Sequence, residues 1–228
     1  MRLIIAPLVL ALLVTSSCSS TDTTGPPADF ALVSAKRTQL RVVQSYIPRG
    51  RYGRHRIRSM KPRYITIHST QNYWWKADAR AHAEMLRQGK LRGRKNSLGY
   101  VTWHYTVDED SIYQSLPDNE QGQHADYEGK GNRYSIGIEM CENRGNSRAR
   151  TLEQTARLVA NLMHRHHIPL SRVVPHQHWR MIRYSDGRDL GHKNCPHFLL
   201  ENGKPGRKWR DFLRKIKTHY DSYSRSRV

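Results

Sequence analysis

The sequence contains few cysteines, few acidic residues and little uninterrupted hydrophobic sequence. The cysteines are Cys18, Cys141 and Cys195, so the chain can form at most one disulfide within itself. Lys and Arg number 39 against 19 Asp and Glu, which gives a formal net charge of +20. This excess favours an anionic partner such as nucleic acid, acidic lipid or a carboxylate-rich polymer, and it says nothing about the fold.

The long hydrophobic run of the chain extends from Leu3 to Val14, between one basic residue and a group of small residues. This is the pattern of a secretory signal peptide, and the run is too short to span a membrane as a helix. The pattern closes on Cys18 in the manner of a lipoprotein cleavage site. We therefore predict a signal peptide over 1–18 with a lipid on Cys18, and plain secretion is the alternative.

The rest of the chain has no internal repeat, and its length allows one domain of ordinary size with tails. Residues 19–45 begin with the polar "SSTDTTGPPAD" and predict a flexible tether and lead-in. We expect the folded domain over 46–220 and a basic tail over 221–228. In an oxidising, exported compartment Cys141 and Cys195 could pair.

Strand and helix patterns alternate within the domain. Stretches rich in β-branched and aromatic residues predict strands at 63–69, within 100–116, at 134–143 and at 172–179. Helical spacing of apolar residues predicts helices at 76–90, 151–167 and 205–220. Thr151 and Gln154 match a capping box at the start of the second helix. Strands interleaved with helices indicate an α/β fold, with a central sheet covered by helices.

The residues that could carry chemistry lie at predicted strand ends and in adjoining loops, where active sites tend to be. They are His68, Glu139, His176 and Cys195. Two histidines and one cysteine would fill three positions around a tetrahedral zinc and leave the fourth open, as in a catalytic site. Spacing alone leaves other readings open. A lone histidine after a strand is more often structural, and His178 and His192 compete with His176 as ligands. Glu139 lies in an apolar strand, where an acid is costly without a partner.

Several motifs, in order and spacing, resemble one known family. They are "YITIHST", "WHYTVDED" with "IYQSLPDNE", "NRYSIGIEMCEN", and "VVPHQHW" followed by "HKNCPHFLL". Together they resemble the zinc-dependent N-acetylmuramoyl-L-alanine amidases of the phage-lysozyme and peptidoglycan-recognition-protein superfamily, in the autolysin and endolysin-like branch. The resemblance covers about residues 46–215. It implies a single catalytic domain with a central mixed β-sheet flanked by helices.

The resemblance also implies a role for each matching residue. His68, His176 and Cys195 match the family's zinc ligands, with one zinc per chain. Glu139 matches the catalytic base, and Lys193 matches the residue that stabilises the transition state. Three further residues match positions that line the substrate groove in relatives: Asn72, His104 and His124.

The chemistry suits these residue types. Zinc lowers the pKa of a bound water to about 7, which provides a nucleophile at neutral pH. Glu139 could take the water proton and pass it to the leaving amine. Lys193 could share the negative charge that develops on the oxygen of the attacked amide. Compared with the autolysin branch, residues 180–192 form an insertion, which we expect to be a surface loop near the site.

The expected function is therefore hydrolysis of the amide bond between N-acetylmuramic acid and L-alanine in peptidoglycan. The enzyme would act in the cell envelope as a lipid-anchored monomer, and its basic surface would suit the carboxylates of the stem peptides. One alternative is a non-catalytic muropeptide-binding module with the same fold, although such modules usually lack the cysteine ligand. A nucleic-acid binder is a third reading, but only the charge supports it, since the sequence has no recognised nucleic-acid motif.

Overall fold

The computed structural model describes residues 40–93 and 97–225. The predicted signal peptide, Cys18 and most of the predicted tether lie outside these residues. None of the helices in the described part of the chain is long and apolar enough to cross a membrane.

A six-stranded mixed sheet lies at the centre of the domain. Its strands are β1 (Val43–Gln44), β2 (Tyr64–Ser69), β3 (Tyr105–Val107), β4 (Ile112–Gln114), β5 (Ser135–Met140) and β6 (Val173–Pro175). They are arranged in the order β1-β4-β3-β5-β2-β6. Only β3 and β4 are antiparallel neighbours, and every other pair is parallel. The predicted α/β class with a mixed sheet is confirmed.

The helices are α1 (Ala79–Arg87), α2 (Lys130–Tyr134), α3 (Arg148–His166) and α4 (Arg207–Arg225). Two small hairpins complete the fold, one from β7 (Arg180–Ile182) and β8 (Asp189–His192), the other from β9 (Leu200–Glu201) and β10 (Lys204–Pro205). The segment 180–192, predicted as a surface loop, is thus largely a hairpin. An ion pair between Arg180 of β7 and Asp189 of β8 connects the two strands of this hairpin.

Side chains along the central strands point alternately to the hydrophobic core and to the face that carries the site. Ile65 and Ile67 of β2, like Ile136 and Ile138 of β5, are fully buried in the main hydrophobic core, which also contains residues of α3 and α4. The intervening positions of β2 point to the opposite face, because successive strand residues alternate. One of them is His68. The apolar side chains of these strands therefore pack against α3 and α4, and the opposite face carries polar side chains such as His68.

Three boundaries differ from the sequence-based expectation. The edge strand β1 pairs Val43 with Tyr113, so the sheet includes residues from the predicted lead-in. Helix α4 continues to Arg225, into the predicted basic tail. Helix α3 is capped by Ser147, whose side chain accepts a hydrogen bond from the Arg150 N–H. The predicted capping box at Thr151 is wrong, because Thr151 lies inside the helix and its hydroxyl donates to the Ser147 carbonyl.

Candidate active site

Three potential metal ligands converge at the carboxyl edge of the parallel strands. His68 lies near the end of β2, His176 directly follows β6, and Cys195 lies in the loop after β8. Their ligand atoms all lie within 4.8 Å of one another, and all three residues are buried. Parallel strands end at a common edge, which is why ligands far apart in sequence meet there.

Hydrogen bonds determine which ring nitrogen carries the proton in His176, His124 and His68. His176 Nε2 lies 2.8 Å from the Ala125 carbonyl oxygen, so Nε2 is the donor. His124 Nε2 lies 3.3 Å from the Ser135 carbonyl oxygen and donates to it. In the neutral His124 ring Nδ1 is then an acceptor, and His68 Nε2 donates to it over 3.0 Å. Both His68 Nδ1 and His176 Nδ1 are left with a free lone pair.

The two lone pairs face each other, since His68 Nδ1 and His176 Nδ1 are 2.9 Å apart. Two such atoms repel unless a positive charge lies between them. Protonation of either ring at this point is unfavourable. Burial lowers the pKa of His68 well below its usual value and lowers the pKa of His176 to about 4. Nearby positive charge on Lys193 opposes protonation further. The residues therefore fit a metal cation.

Cys195 completes the donor set. Its sulfur accepts a hydrogen bond from the Ser69 N–H at 3.3 Å. Burial raises the pKa of its thiol to about 12, so the thiolate needs a neighbouring cation to form at neutral pH. Cys141 and Cys195 are both free and buried. The alternative in which they form a disulfide is wrong in this structure.

Glu139 lies beside the ligands on the neighbouring strand. It is the register partner of His68, and its Oε1 is 3.9 Å from His68 Nδ1. Its Oε2 is buried and has no hydrogen-bond partner among the described residues. Burial raises the pKa of Glu139 to about 7, and positive charge on Lys193 partly offsets that rise. A carboxylate with a free oxygen and a pKa near neutrality is suited to exchange protons with a reactant.

The other candidate residues occupy different positions around this cluster. Lys193 is exposed and lines the same cavity as His124 and His176. Asn72 lines a second cavity together with Glu139. The two cavities, of about 440 and 540 Å³, share Arg92 and Val101 as lining residues and together form a groove over the site.

His104 does not line the groove, so its prediction as a substrate contact is wrong. Its ring is fully buried, with Nε2 2.8 Å from the Glu120 carbonyl oxygen and Nδ1 accepting from the Gly137 N–H at 3.0 Å. Both nitrogens are used, so the ring supports the sheet. His124 lines the groove but also bonds to His68, a role that the sequence did not predict.

The competing histidines lie outside the cluster. His178 is exposed and packs edge-on against Trp179, with ring centroids 4.7 Å apart. His192 is also exposed, and its Nδ1 is 2.7 Å from the Gln177 carbonyl oxygen. Of these three histidines, His176 is the one that lies in the cluster with His68 and Cys195.

Comparisons with known proteins identify the family of this chain. A family model described as N-acetylmuramoyl-L-alanine amidase matches residues 58–198. The chain is 42% identical over 161 residues to N-acetylmuramoyl-L-alanine amidase XlyA of Bacillus subtilis (strain 168), covering 70% of this chain and 48% of the relative. It is 39% identical over 160 residues to N-acetylmuramoyl-L-alanine amidase CwlH of the same strain, covering 69% of this chain and 54% of the relative.

Solved structures show the same architecture. A mutant endolysin from Bacillus subtilis matches with a TM-score of 0.64 and 40% identity, covering 78% of this chain and 99% of that structure. The catalytic domain of XlyA matches with a TM-score of 0.61 and 39% identity, covering 77% of this chain and 99% of that structure. The domain thus has the fold of these amidase and endolysin domains. The chain belongs to the N-acetylmuramoyl-L-alanine amidase family, and it spans about half the length of the curated relatives it matches.

Proposed function

We propose that this protein is a zinc hydrolase that cleaves the amide bond between N-acetylmuramic acid and the L-alanine of the peptidoglycan stem peptide. The observation that carries the proposal is the buried cluster of His68, His176 and Cys195, with Glu139 beside it and a groove above it. Family membership supplies the substrate class. Two nitrogens and one sulfur are typical zinc ligands, and three protein ligands leave a position open.

Each residue has a task that follows from its position. The bound zinc would polarise the amide carbonyl and lower the pKa of water. Glu139 accepts the proton of the attacking water and delivers it to the nitrogen of the departing L-alanine. Lys193 lies at the groove, where its charge stabilises the negative charge that develops on the carbonyl oxygen. His124 accepts a hydrogen bond from His68 Nε2 and so orients the His68 ring, whose Nδ1 would hold the zinc.

The same ligand set argues against the alternative of a non-catalytic muropeptide-binding module. That alternative needs neither a base nor an open metal position, yet Glu139 keeps an unpartnered carboxylate oxygen beside the cluster.

For the whole chain we further propose export to the cell envelope with a lipid on Cys18, and a monomeric state. Asn72 is proposed as a substrate contact because it lines the cavity that Glu139 lines.

The proposal is tested with the purified chain and isolated peptidoglycan. Metal analysis should find about one zinc per chain, as expected for a site with three protein ligands. Mass spectrometry of the soluble products should detect peptides that begin with L-alanine. Zinc without peptide release from any peptidoglycan would support the binding module instead. A chain that binds no zinc would contradict the ligand assignment.

The rate should depend on pH through Glu139. A general base works only when deprotonated, and burial raises the pKa of this carboxyl to about 7. We therefore expect kcat/KM to rise with pH and to level off at or below about pH 7, because the zinc charge moves the midpoint downward. A pH–rate profile on soluble muropeptides measures this. A rate that is flat down to pH 4, with zinc still bound, would contradict the role of Glu139.

Replacing His124 should weaken zinc binding without removing a ligand. In His124→Phe the Nε2–H of His68 loses its acceptor, so the ring is no longer held in the tautomer that presents Nδ1. Loss of such a supporting hydrogen bond typically reduces metal affinity about 10- to 100-fold. Competition with a chromophoric chelator measures the affinity. The matched control is His178→Phe, an exposed histidine outside the cluster, and equal affinities in the two variants would contradict the role of His124.

A further inference from the structure

Three consecutive aromatic side chains are exposed in the loop between β2 and α1. Tyr73, Trp74 and Trp75 have exposed fractions of 54, 59 and 61%. Single exposed hydrophobic residues are normal on protein surfaces, whereas contiguous patches usually mark a binding surface. Trp and Tyr are also the residues most enriched at such surfaces, because they offer large contact area with little rotamer freedom to lose. We call these three side chains the aromatic surface.

The backbone beneath the aromatic surface is fixed by hydrogen bonds. The Arg144 N–H donates to the Tyr73 carbonyl at 3.3 Å, and the Asn143 side-chain amide donates to the Trp75 carbonyl at 3.4 Å. The Ala77 N–H donates to the Trp74 carbonyl at 2.9 Å. The rings are therefore presented on an ordered loop, and a ligand that binds them incurs little cost for ordering the chain.

The aromatic surface adjoins the groove over the site through Asn72, and its own three rings line neither of the two cavities. The loop begins where β2 ends, directly after His68 and Ser69, and Asn72 lines the cavity that Glu139 lines. The Asn72 side chain also accepts a hydrogen bond from the Trp74 N–H at 3.2 Å. The aromatic surface therefore lies beside the part of the groove that Asn72 lines, and we call this part the rim.

We propose that the aromatic surface binds the glycan strand of peptidoglycan by stacking against its sugar rings, an inference that rests on the proposed function. A sugar ring has an apolar face of C–H groups and a polar edge, and an exposed indole matches that face. The Trp74 and Trp75 rings are 6.2 Å apart between centroids and inclined by 56°, so they offer two separate faces. Lys76 Nζ lies over one face of the Trp75 ring, 4.4 Å from the ring centroid, and leaves the other face of the ring available.

The consequence is a preference for polymeric substrate. A muropeptide with a single sugar can occupy the groove at Glu139 without extending to the rim, whereas an intact glycan strand reaches the aromatic surface. The surface therefore adds affinity for the polymer beyond what the groove supplies. A membrane interface is the other environment that accommodates exposed Trp and Lys, and the experiment separates it from glycan.

The test compares the full chain with its Trp74→Ala/Trp75→Ala double variant. Activity is measured on isolated peptidoglycan and on a soluble muropeptide with one sugar, and the ratio of the two kcat/KM values is the readout. Loss of two central aromatic contacts should lower this ratio about tenfold or more. Thermal unfolding checks that the variant is folded. The control is Ile57→Ala, another exposed hydrophobic position, for which the ratio should match that of the wild type.

Binding is measured separately in the Glu139→Gln background, by co-sedimentation with peptidoglycan. The aromatic variant should sediment less, and soluble oligomers of N-acetylglucosamine should displace the parent. Unchanged ratio and sedimentation would overturn the proposal. So would a variant that loses affinity only for vesicles of anionic phospholipid, which would assign the surface to membrane. If the wild type hydrolyses neither substrate, the proposed function fails, while the sedimentation result still decides the role of the aromatic surface.

Discussion

Glu139→Gln should reduce peptide release from peptidoglycan by about 100- to 10,000-fold, the usual contribution of a general acid–base group. Glutamine keeps the shape of the side chain but cannot accept the proton of the attacking water. Zinc content should stay at the wild-type level, because Glu139 is not among the three clustered ligands. Single-turnover release of L-alanine peptides, followed by mass spectrometry, measures the loss directly.

The matched control is Glu142→Gln, a second buried carboxylate that follows the same strand. Glu142 Oε2 accepts a hydrogen bond from the Gln71 N–H at 3.1 Å, a bond that the glutamine oxygen can retain. Its charge raises the pKa of Glu139, so its removal should only shift the pH profile slightly towards lower pH. If the two variants lose activity equally, the effect is one of local charge, and Glu139 is not the base.

The central strands were predictable because local and tertiary preferences agree there. β2 and β5 alternate branched apolar residues with polar or small ones, and the apolar half fits the helix-covered face. The start of α3 could not be predicted in this way, because the local pattern and the folded structure disagree there. Thr151 and Gln154 form a plausible capping pattern, but Ser147 caps the helix four residues earlier, and the Asn146 side chain donates to the Thr151 hydroxyl at 2.9 Å.

His104 and His124 show what a sequence motif does not predict. A motif identifies His104 and His124 as residues near the site, but it does not say which ring faces the groove. His104 receives the Gly137 N–H on one side and donates to Glu120 on the other, two contacts that only the folded sheet creates. His124 bonds to a ring that is 56 positions away in sequence. Such long-range hydrogen bonds decide tautomer and burial, and no local pattern encodes them.

Removal of zinc should lower stability as well as activity. A ligand that binds only the folded state stabilises it by about 4 kcal/mol when its free concentration is 1,000 times its Kd. Without the cation, the folded state keeps two facing lone pairs 2.9 Å apart and a buried thiol whose pKa is raised to about 12. We therefore expect a chelator to lower the Tm of the wild type, by several degrees or more for a domain of this size. Scanning calorimetry with and without chelator measures the shift.

The two buried cysteines provide the decisive comparison for this effect. Cys195→Ser removes a ligand, so its Tm should already be low and should no longer respond to chelator. Cys141→Ser alters a cysteine that is equally buried but lies outside the cluster. Any fall in its Tm reflects altered packing, and the difference between the samples with and without chelator should persist. A chelator response that survives in Cys195→Ser, or that vanishes in Cys141→Ser, would contradict the ligand set, because the response itself reports which sulfur holds the metal.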